Sequence, residues 1–225
     1  MKNILALGDS IIKGISFENG KYAVDPGRFT ALLEQRWNTQ IVNRAQMGST
    51  VSRLERSISR AVRELSDPEF DTVFLSYGGN DSDFDWQAVS DAPENTHTCR
   101  TPYDVFIREY TKGIDQLKAS DKQVFLLSLP PIDARKYFRF ITRGKNAEAV
   151  LGWLQGDVSM LTHWHEMYNL AVFKIGKLVG TTILDITSCF LARPNYEGFL
   201  CADGIHPNAQ GHQLIADSIA AQLAC

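Results

Sequence analysis

Cysteine is scarce in this chain: four residues among 225, Cys99, Cys189, Cys201 and Cys225, with no Cys-x-x-Cys pair and no zinc-ligand spacing. That pattern excludes a cysteine-built metal site and a disulfide scaffold, and the expected state is free thiols in a reducing compartment. Long hydrophobic runs are absent too, since charge interrupts every apolar stretch well short of the ~20 residues a membrane-spanning helix requires. The apolar stretch at the start of the chain carries one lysine and is too short for a secretion signal, so the expected location is the cytoplasm. No charge of either sign dominates: 23 Lys+Arg against 26 Asp+Glu leave a net charge of −3, which gives no general attraction to nucleic acid or to an anionic membrane. No repeat and no low-complexity tract occurs. With 44% hydrophobic and 22% charged residues, the composition is that of an ordinary globular protein, and the length suits one domain spanning 1–225.

What is present is a rhythm. Short runs rich in branched residues alternate with longer segments of helical period, which predicts an α/β fold with a parallel sheet and crossover helices. The predicted strands are Lys2–Leu7, Gln40–Asn43, Thr72–Ser76, Gln123–Leu129 and Thr181–Ile186, each bounded by Gly, Pro, Asp or Asn. The predicted helices are Phe29–Trp37, Val51–Leu65, Tyr103–Ala119, Val158–Leu178 and Ala209–Leu223. In the second of these, Val51, Leu54, Ile58, Ala61, Val62 and Leu65 form one stripe while its arginines form a solvated face. Asn208 is the expected N-cap of the last helix. Two stretches, 81–102 and 130–157, exceed simple connections. Both follow strands, so both belong at the carboxyl edge of the sheet as walls of a pocket.

Reactive residue types collect at that same edge. The first strand ends in Gly8-Asp9-Ser10; Gly48 follows the second, Gly78-Gly79-Asn80-Asp81 the third, and Asp203-Gly204-Ile205-His206-Pro207 precedes the last helix. Strand-to-helix loops of a right-handed parallel sheet emerge on one edge, so residues distant in sequence converge in one crevice. A serine hydroxyl needs a base, and an imidazole with an ordinary pKa near ~6.5 serves around neutral pH. Ser10 and His206 are therefore the expected reacting pair, with Asp203 accepting from the other imidazole nitrogen. The backbone N–H groups of Ser10 and Gly48 and the side-chain amide of Asn80 are the available donors for a tetrahedral oxyanion.

These four blocks, in this order, resemble the SGNH (GDSL-type) hydrolase family: Gly-Asp-Ser at Ser10 its first, Gln46-Met47-Gly48-Ser49 its second, Gly78-Gly79-Asn80-Asp81 its third and Asp203-Gly204-Ile205-His206-Pro207-Asn208 its fifth. The resemblance runs from residue 7 to 208. It implies a three-layer flavodoxin-like sandwich with strand order 2-1-3-4-5 and ester hydrolysis through an acyl-enzyme. In that scheme Ser10 is the nucleophile, His206 the base, Asp203 its partner, and Gly48 and Asn80 oxyanion donors. No cofactor is implied.

Other features are weighed beside it. His163 and His165 stand two apart on a helix and so point in different directions, which argues against a shared metal. His212 reads as a surface or partly packed residue, His97 as a loop residue with no evident partner, and Asp81 as a turn former or support for a neighbouring loop. Asp81, Asp83 and Asp85 interleave with Phe84 and Trp86, a pattern that suits either a hydroxylated ligand or a loop anchored by its own aromatics. Arg135, Lys136, Arg139, Arg143 and Lys145 alternate with Tyr137, Phe138 and Phe140 in a segment readable as a lid, an anion-binding wall or an oligomer contact. The substrate expected is a small-molecule ester, with short acyl or O-acetyl esters of a carbohydrate leading. A lysophospholipase or thioesterase is the alternative within the enzyme class; a non-catalytic flavodoxin-like module binding an anion at helix N-termini is the alternative outside it.

Overall fold

The computed structural model of the chain describes residues 3–64 and 70–224. Three positions of the sequence reading, Lys2, Leu65 and Cys225, lie outside the described residues, as does the side chain of Val62. The elements run β1 (Asn3–Gly8), α1 (Ser10–Lys13), β2 (Ile15–Glu18), β3 (Lys21–Val24), α2 (Phe29–Trp37) and β4 (Gln40–Asn43). A 3-10 turn at Val51–Arg53 leads into α3 (Leu54–Glu64), followed by β5 (Thr72–Ser76), α4 (Trp86–Asp91), α5 (Tyr103–Lys118) and β6 (Gln123–Leu127). Then come α6 (Ala134–Ile141), α7 (Ala147–Trp153), α8 (Met160–Val179), β7 (Thr182–Leu184), α9 (Ser188–Leu191) and α10 (Ala209–Leu223).

Five strands form one parallel sheet in the order β4-β1-β5-β6-β7, which is the expected 2-1-3-4-5 once the hairpin strands β2 and β3 are set aside. Successive side chains of a strand point to opposite faces, and here both faces are buried. Leu5, Leu7, Val73, Leu75 and Leu126 meet Leu54 and Ile58 of α3, Phe106, Tyr110 and Ile114 of α5, and Val172 and Ile175 of α8. Ile4, Ala6, Phe74 and Phe125 meet Phe29 and Leu33 of α2 and Ile215 and Ile219 of α10. The result is helix, sheet, helix. Arg53, Arg56, Arg60 and Arg63 are exposed on the outer layer, and Asn208 caps α10 by accepting from Gly211 N–H at 3.0 Å.

The two long connections are not structureless. The first contains α4, capped by Asp85 Oδ1 accepting from Gln87 and Ala88 N–H. The second contains α6 and α7, capped by Asp133 and Asn146. These inserts share a third apolar cluster of their own, in which Phe84, Trp86 and Val89 pack with Ile132, Tyr137, Ile141, Val150, Leu154 and Leu161. Ordering so many residues carries a conformational entropy cost that this burial offsets. His97 belongs to the same cap: its Nε2 lies 2.8 Å from Ala92 O and its ring stands edge-on to Trp153, so the reading that left it without a partner is corrected.

His212 is a second correction. It is 0% exposed, its ring stacks on Phe29, and neither ring nitrogen has a hydrogen-bond partner among the described residues. Position along α10 turns it inward beside Ile215, Ala216 and Ile219, where the helical period puts the apolar stripe. Burial pushes its pKa down from 6.5 to about 4, and the charges of His206 and Arg28 push the same way against Asp25. Because the folded value lies below the unfolded one, the unfolded chain takes up the proton first as pH falls. The associated stability is complete above about pH 6.5 and is lost progressively toward pH 4, an effect of about 3 kcal/mol. His212→Met is expected to flatten this loss, so that the midpoint of urea unfolding falls less between pH 7 and pH 4.5 than in the unsubstituted protein.

Candidate active site

Gly8 ends β1 beside Ser76 of β5, so close that a Cβ there would lie 2.4 Å from Ser76 O. Only glycine permits that approach, and it seats the turn that follows. Asp9 caps α1 by accepting from Ile11 N–H at 2.9 Å, which makes Ser10 the first helical residue. First-turn N–H groups have no intrahelical acceptor, so the Ser10 amide stays available. Gly48 lies on an exposed turn at φ +72°, in the left-handed region that glycine occupies without strain. Asp203 folds its own loop, with Oδ1 accepting from Ile205 and His206 N–H at 3.2 Å each.

That turn delivers the imidazole. His206 Nδ1 lies 2.6 Å from Asp203 Oδ2, and His206 Nε2 lies 2.8 Å from Ser10 Oγ. A carboxylate oxygen only accepts, so Nδ1 carries the hydrogen and Nε2 accepts from the Ser10 hydroxyl. All three are buried: Ser10 is 7%, His206 3% and Asp203 0% exposed. The Asn80 amide donates to Ser49 O at 3.2 Å and approaches Asp9 Oδ2 at 3.5 Å, which places it between the loop carrying Gly48 and the start of α1. Asp81 accepts from Val51 N–H at 3.0 Å and so ties the loop after β5 to the loop after β4. The five residues singled out in the sequence thus come from four loops at one sheet edge.

The electrostatics follow from burial. Desolvation raises the Asp9 carboxyl from 3.8 to about 7, the Ile11 N–H bond lowers it, neighbouring Asp81 raises it and His206 lowers it. A carboxyl whose pKa lies near neutrality is only partly ionised around pH 7, so it carries less than a full negative charge beside the Asn80 amide. Asp81 is likewise raised to about 6 by burial, with bonds from Thr101, Val51 and Gly78 opposing.

Beside Ser10 opens a cavity of about 70 Å³. Leu129, Ile132, Phe84, Trp86, Leu161 and Trp164 form its apolar walls, while Asp83, Tyr137 and His165 bring polar groups to it. Asp83 Oδ1 accepts from Tyr137 OH at 2.6 Å and Trp86 Nε1 at 2.7 Å, and Oδ2 lies 3.3 Å from Arg100. Burial pushes its carboxyl up, with Tyr137 and Arg100 opposing. The acidic and aromatic run therefore anchors itself, and it joins the two inserts across the cavity. In the basic segment, Arg143 sits over the rings of Phe17 and Phe140, and Lys136 Nζ donates to Glu197 O at 2.6 Å.

Residues that sequence reasoning missed surround this core. Tyr22, from the β2–β3 hairpin, stands edge-on to His206 with ring centroids 5.3 Å apart. The hairpin is held to the His206 loop by Ser16 Oγ donating to Pro207 O at 3.2 Å. His165 lies buried on α8, whereas His163 is exposed two positions earlier, so the two face different ways. Among the described residues no group of three or more His, Cys, Asp or Glu side chains is placed to hold a metal, and no helix is long and apolar enough to cross a membrane. Cys99, Cys189 and Cys201 are free thiols.

Comparison with known proteins agrees with this geometry. No curated protein matches the chain in sequence. A lipase/acylhydrolase from Enterococcus faecalis is similar in structure at 18% identity and a TM-score of 0.67, covering 99% of this chain and 95% of that one. An alpha/beta hydrolase from the metagenome of Lake Arreo is similar at 23% identity and a TM-score of 0.64, covering 100% and 95%. A catalytic variant of an acetylxylan esterase from Geobacillus stearothermophilus is similar at 18% identity and a TM-score of 0.67, covering 99% and 94%. At such identities the likeness speaks for the fold. The model of the GDSL-like lipase/acylhydrolase family matches residues 6–214, and with nearly the whole length matched, the chain belongs to that family of serine hydrolases acting on carboxylic esters.

Proposed function

We propose that the chain acts as one hydrolase domain that removes short acyl groups, O-acetyl groups of a carbohydrate first among them, through an acyl-enzyme on Ser10. The observation that carries this reading is the hydrogen-bonded series Asp203, His206, Ser10 opening into a small cavity. Ser10 Oγ attacks the ester carbonyl carbon as His206 Nε2 takes its proton, and Asp203 stabilises the imidazolium. The carbonyl oxygen becomes an oxyanion, accepting from the N–H groups of Ser10 and Gly48 and from the Asn80 amide. Collapse expels the alcohol, which leaves with the proton from His206. Water then attacks the acyl-Ser10 carbonyl with His206 again as base, releasing the acid and restoring the hydroxyl.

Cavity size supports a short acyl group, since about 70 Å³ lies far below the ~300–1,000 Å³ of sites that enclose larger ligands. Aromatic walls with polar groups set among them suit a sugar, and the acetylxylan esterase among the structural relatives points the same way. The test is a series of p-nitrophenyl esters together with acetylated xylo-oligosaccharides. Expected is a kcat/KM that falls steadily from acetyl to octanoyl and a measurable release of acetate from the oligosaccharides. A preference rising with chain length would favour the lysophospholipase or thioesterase reading instead.

A further inference from the structure

Among the mostly apolar walls of the cavity His165 supplies a polar group. It projects from α8, is 8% exposed and lines the cavity. Its ring lies against the loop that carries Asn80: a Cβ placed on Gly79 would stand 3.9 Å from His165 Cε1 and 3.8 Å from Asp9 Oδ2. Nε2 is 2.9 Å from Pro130 O. A peptide carbonyl only accepts, so Nε2 carries the hydrogen and Nδ1 presents a lone pair. Burial lowers the ring's pKa, with Glu166, the Pro130 bond and Asp83 opposing, which favours the neutral imidazole. Asp83 Oδ1 in the same cavity already accepts from Tyr137 and Trp86. Nδ1 of His165 has no hydrogen-bond partner among the described residues, and it is not one of the fully enclosed unpartnered atoms. An acceptor this deep is satisfied by water or by a ligand.

We propose that His165 Nδ1 is the acceptor of a hydroxyl-binding subsite, taking a hydrogen bond from a hydroxyl carried by the substrate close to its scissile ester. The inference rests on the ester-hydrolase reading and deepens its carbohydrate part. The donor is a free hydroxyl of a partly acetylated sugar or, where the acyl portion lies along this wall, the hydroxyl of a hydroxyacyl group. A substrate lacking that hydroxyl displaces the water and leaves Nδ1 unpaired, and a buried polar group deprived of its partner discriminates strongly.

Two variants of the full chain separate the role from mere packing. His165→Leu removes both polar atoms. His165→Gln keeps an N–H and an oxygen attached to one carbon, as Nε2 and Nδ1 are attached to Cε1. Each is assayed on two substrate pairs: a monoacetylated methyl xyloside against cyclohexyl acetate, and p-nitrophenyl 3-hydroxybutyrate against p-nitrophenyl butyrate. Expected is that His165→Leu lowers the ratio of kcat/KM for the hydroxylated member over the hydroxyl-free member about tenfold to a hundredfold in at least one pair, while His165→Gln retains most of the preference. Equal losses on both members of each pair, unchanged ratios, or no preference in the unsubstituted protein would overturn the subsite. A preference confined to the hydroxybutyrate pair and abolished by His165→Leu would keep the subsite and reject the carbohydrate substrate.

Discussion

Replacing His206 with alanine is expected to lower kcat on p-nitrophenyl acetate by at least ~10³-fold. The imidazole touches the Ser10 hydroxyl, at 2.8 Å, and among the described residues no other base is hydrogen-bonded to it. A residual rate above that of water is expected to remain, because the proposed oxyanion donors come from other loops and are left in place. The Cys201 N–H to His206 O bond and the antiparallel bridge between Leu200 and Pro207 are main-chain features that alanine keeps, so the loop retains its course. Ser10→Ala causes a loss of similar size, and the double variant adds little to either, since nucleophile and base act as a unit. Steady-state kinetics on the three variants, with circular dichroism to verify folding, checks this. A non-catalytic anion-binding module would show no turnover to lose.

Asp203→Asn is expected to lower kcat by ~10⁴-fold, with little change in KM. Asp203 does two separable things. Oδ1 shapes the turn by accepting from Ile205 and His206 N–H, and Oδ2 accepts from His206 Nδ1. Asparagine preserves the first with its carbonyl oxygen and turns an NH₂ group toward Nδ1. The imidazole then places its hydrogen on Nε2, where it faces the Ser10 hydroxyl as a donor and no longer accepts its proton. Turnover falls while the turn survives. Single-turnover kinetics and thermal unfolding of the same sample measure both halves, and a variant that lost stability in proportion to activity would assign Asp203 a structural role only.

The parallel sheet was legible because its strands are buried on both faces and read as short apolar runs. Gln40–Asn43 and Thr72–Ser76 end where the sequence places them, at flanking residues that break a strand. Phe29–Trp37 and Ala209–Leu223 were legible because their apolar residues recur at three- and four-residue steps. Ser10, Gly48 and Asn80 stood out because each belongs to a compact block just after a strand, and Asp203 and His206 because theirs immediately precedes the last helix.

Elements whose stability comes from tertiary packing were harder to see. The β2–β3 hairpin has strands of four residues each, yet Asn19-Gly20 marks its turn, with φ of +50° and +76° at the two positions. Asp85, Asp133 and Asn146 cap α4, α6 and α7, a signal that the reading of 81–102 and 130–157 as long loops left unused. Tyr22 and His165 had no local signal at all. Their nearness to the site follows from how a hairpin and a helix pack, which no spacing along the chain encodes. His212 was misjudged because histidine is more often exposed than apolar residues of a stripe, whereas here it occupies one of the stripe's positions.

Ser10 is named as the nucleophile, and covalent labelling reads that role directly. After brief exposure to an alkyl p-nitrophenyl phosphonate, peptide mass spectrometry is expected to find one phosphonyl group per chain, on Ser10, with labelling at least ~10²-fold slower in His206→Ala. Phosphonylation at another residue, or labelling of Ser10 at an undiminished rate without the imidazole, would contradict the assignment.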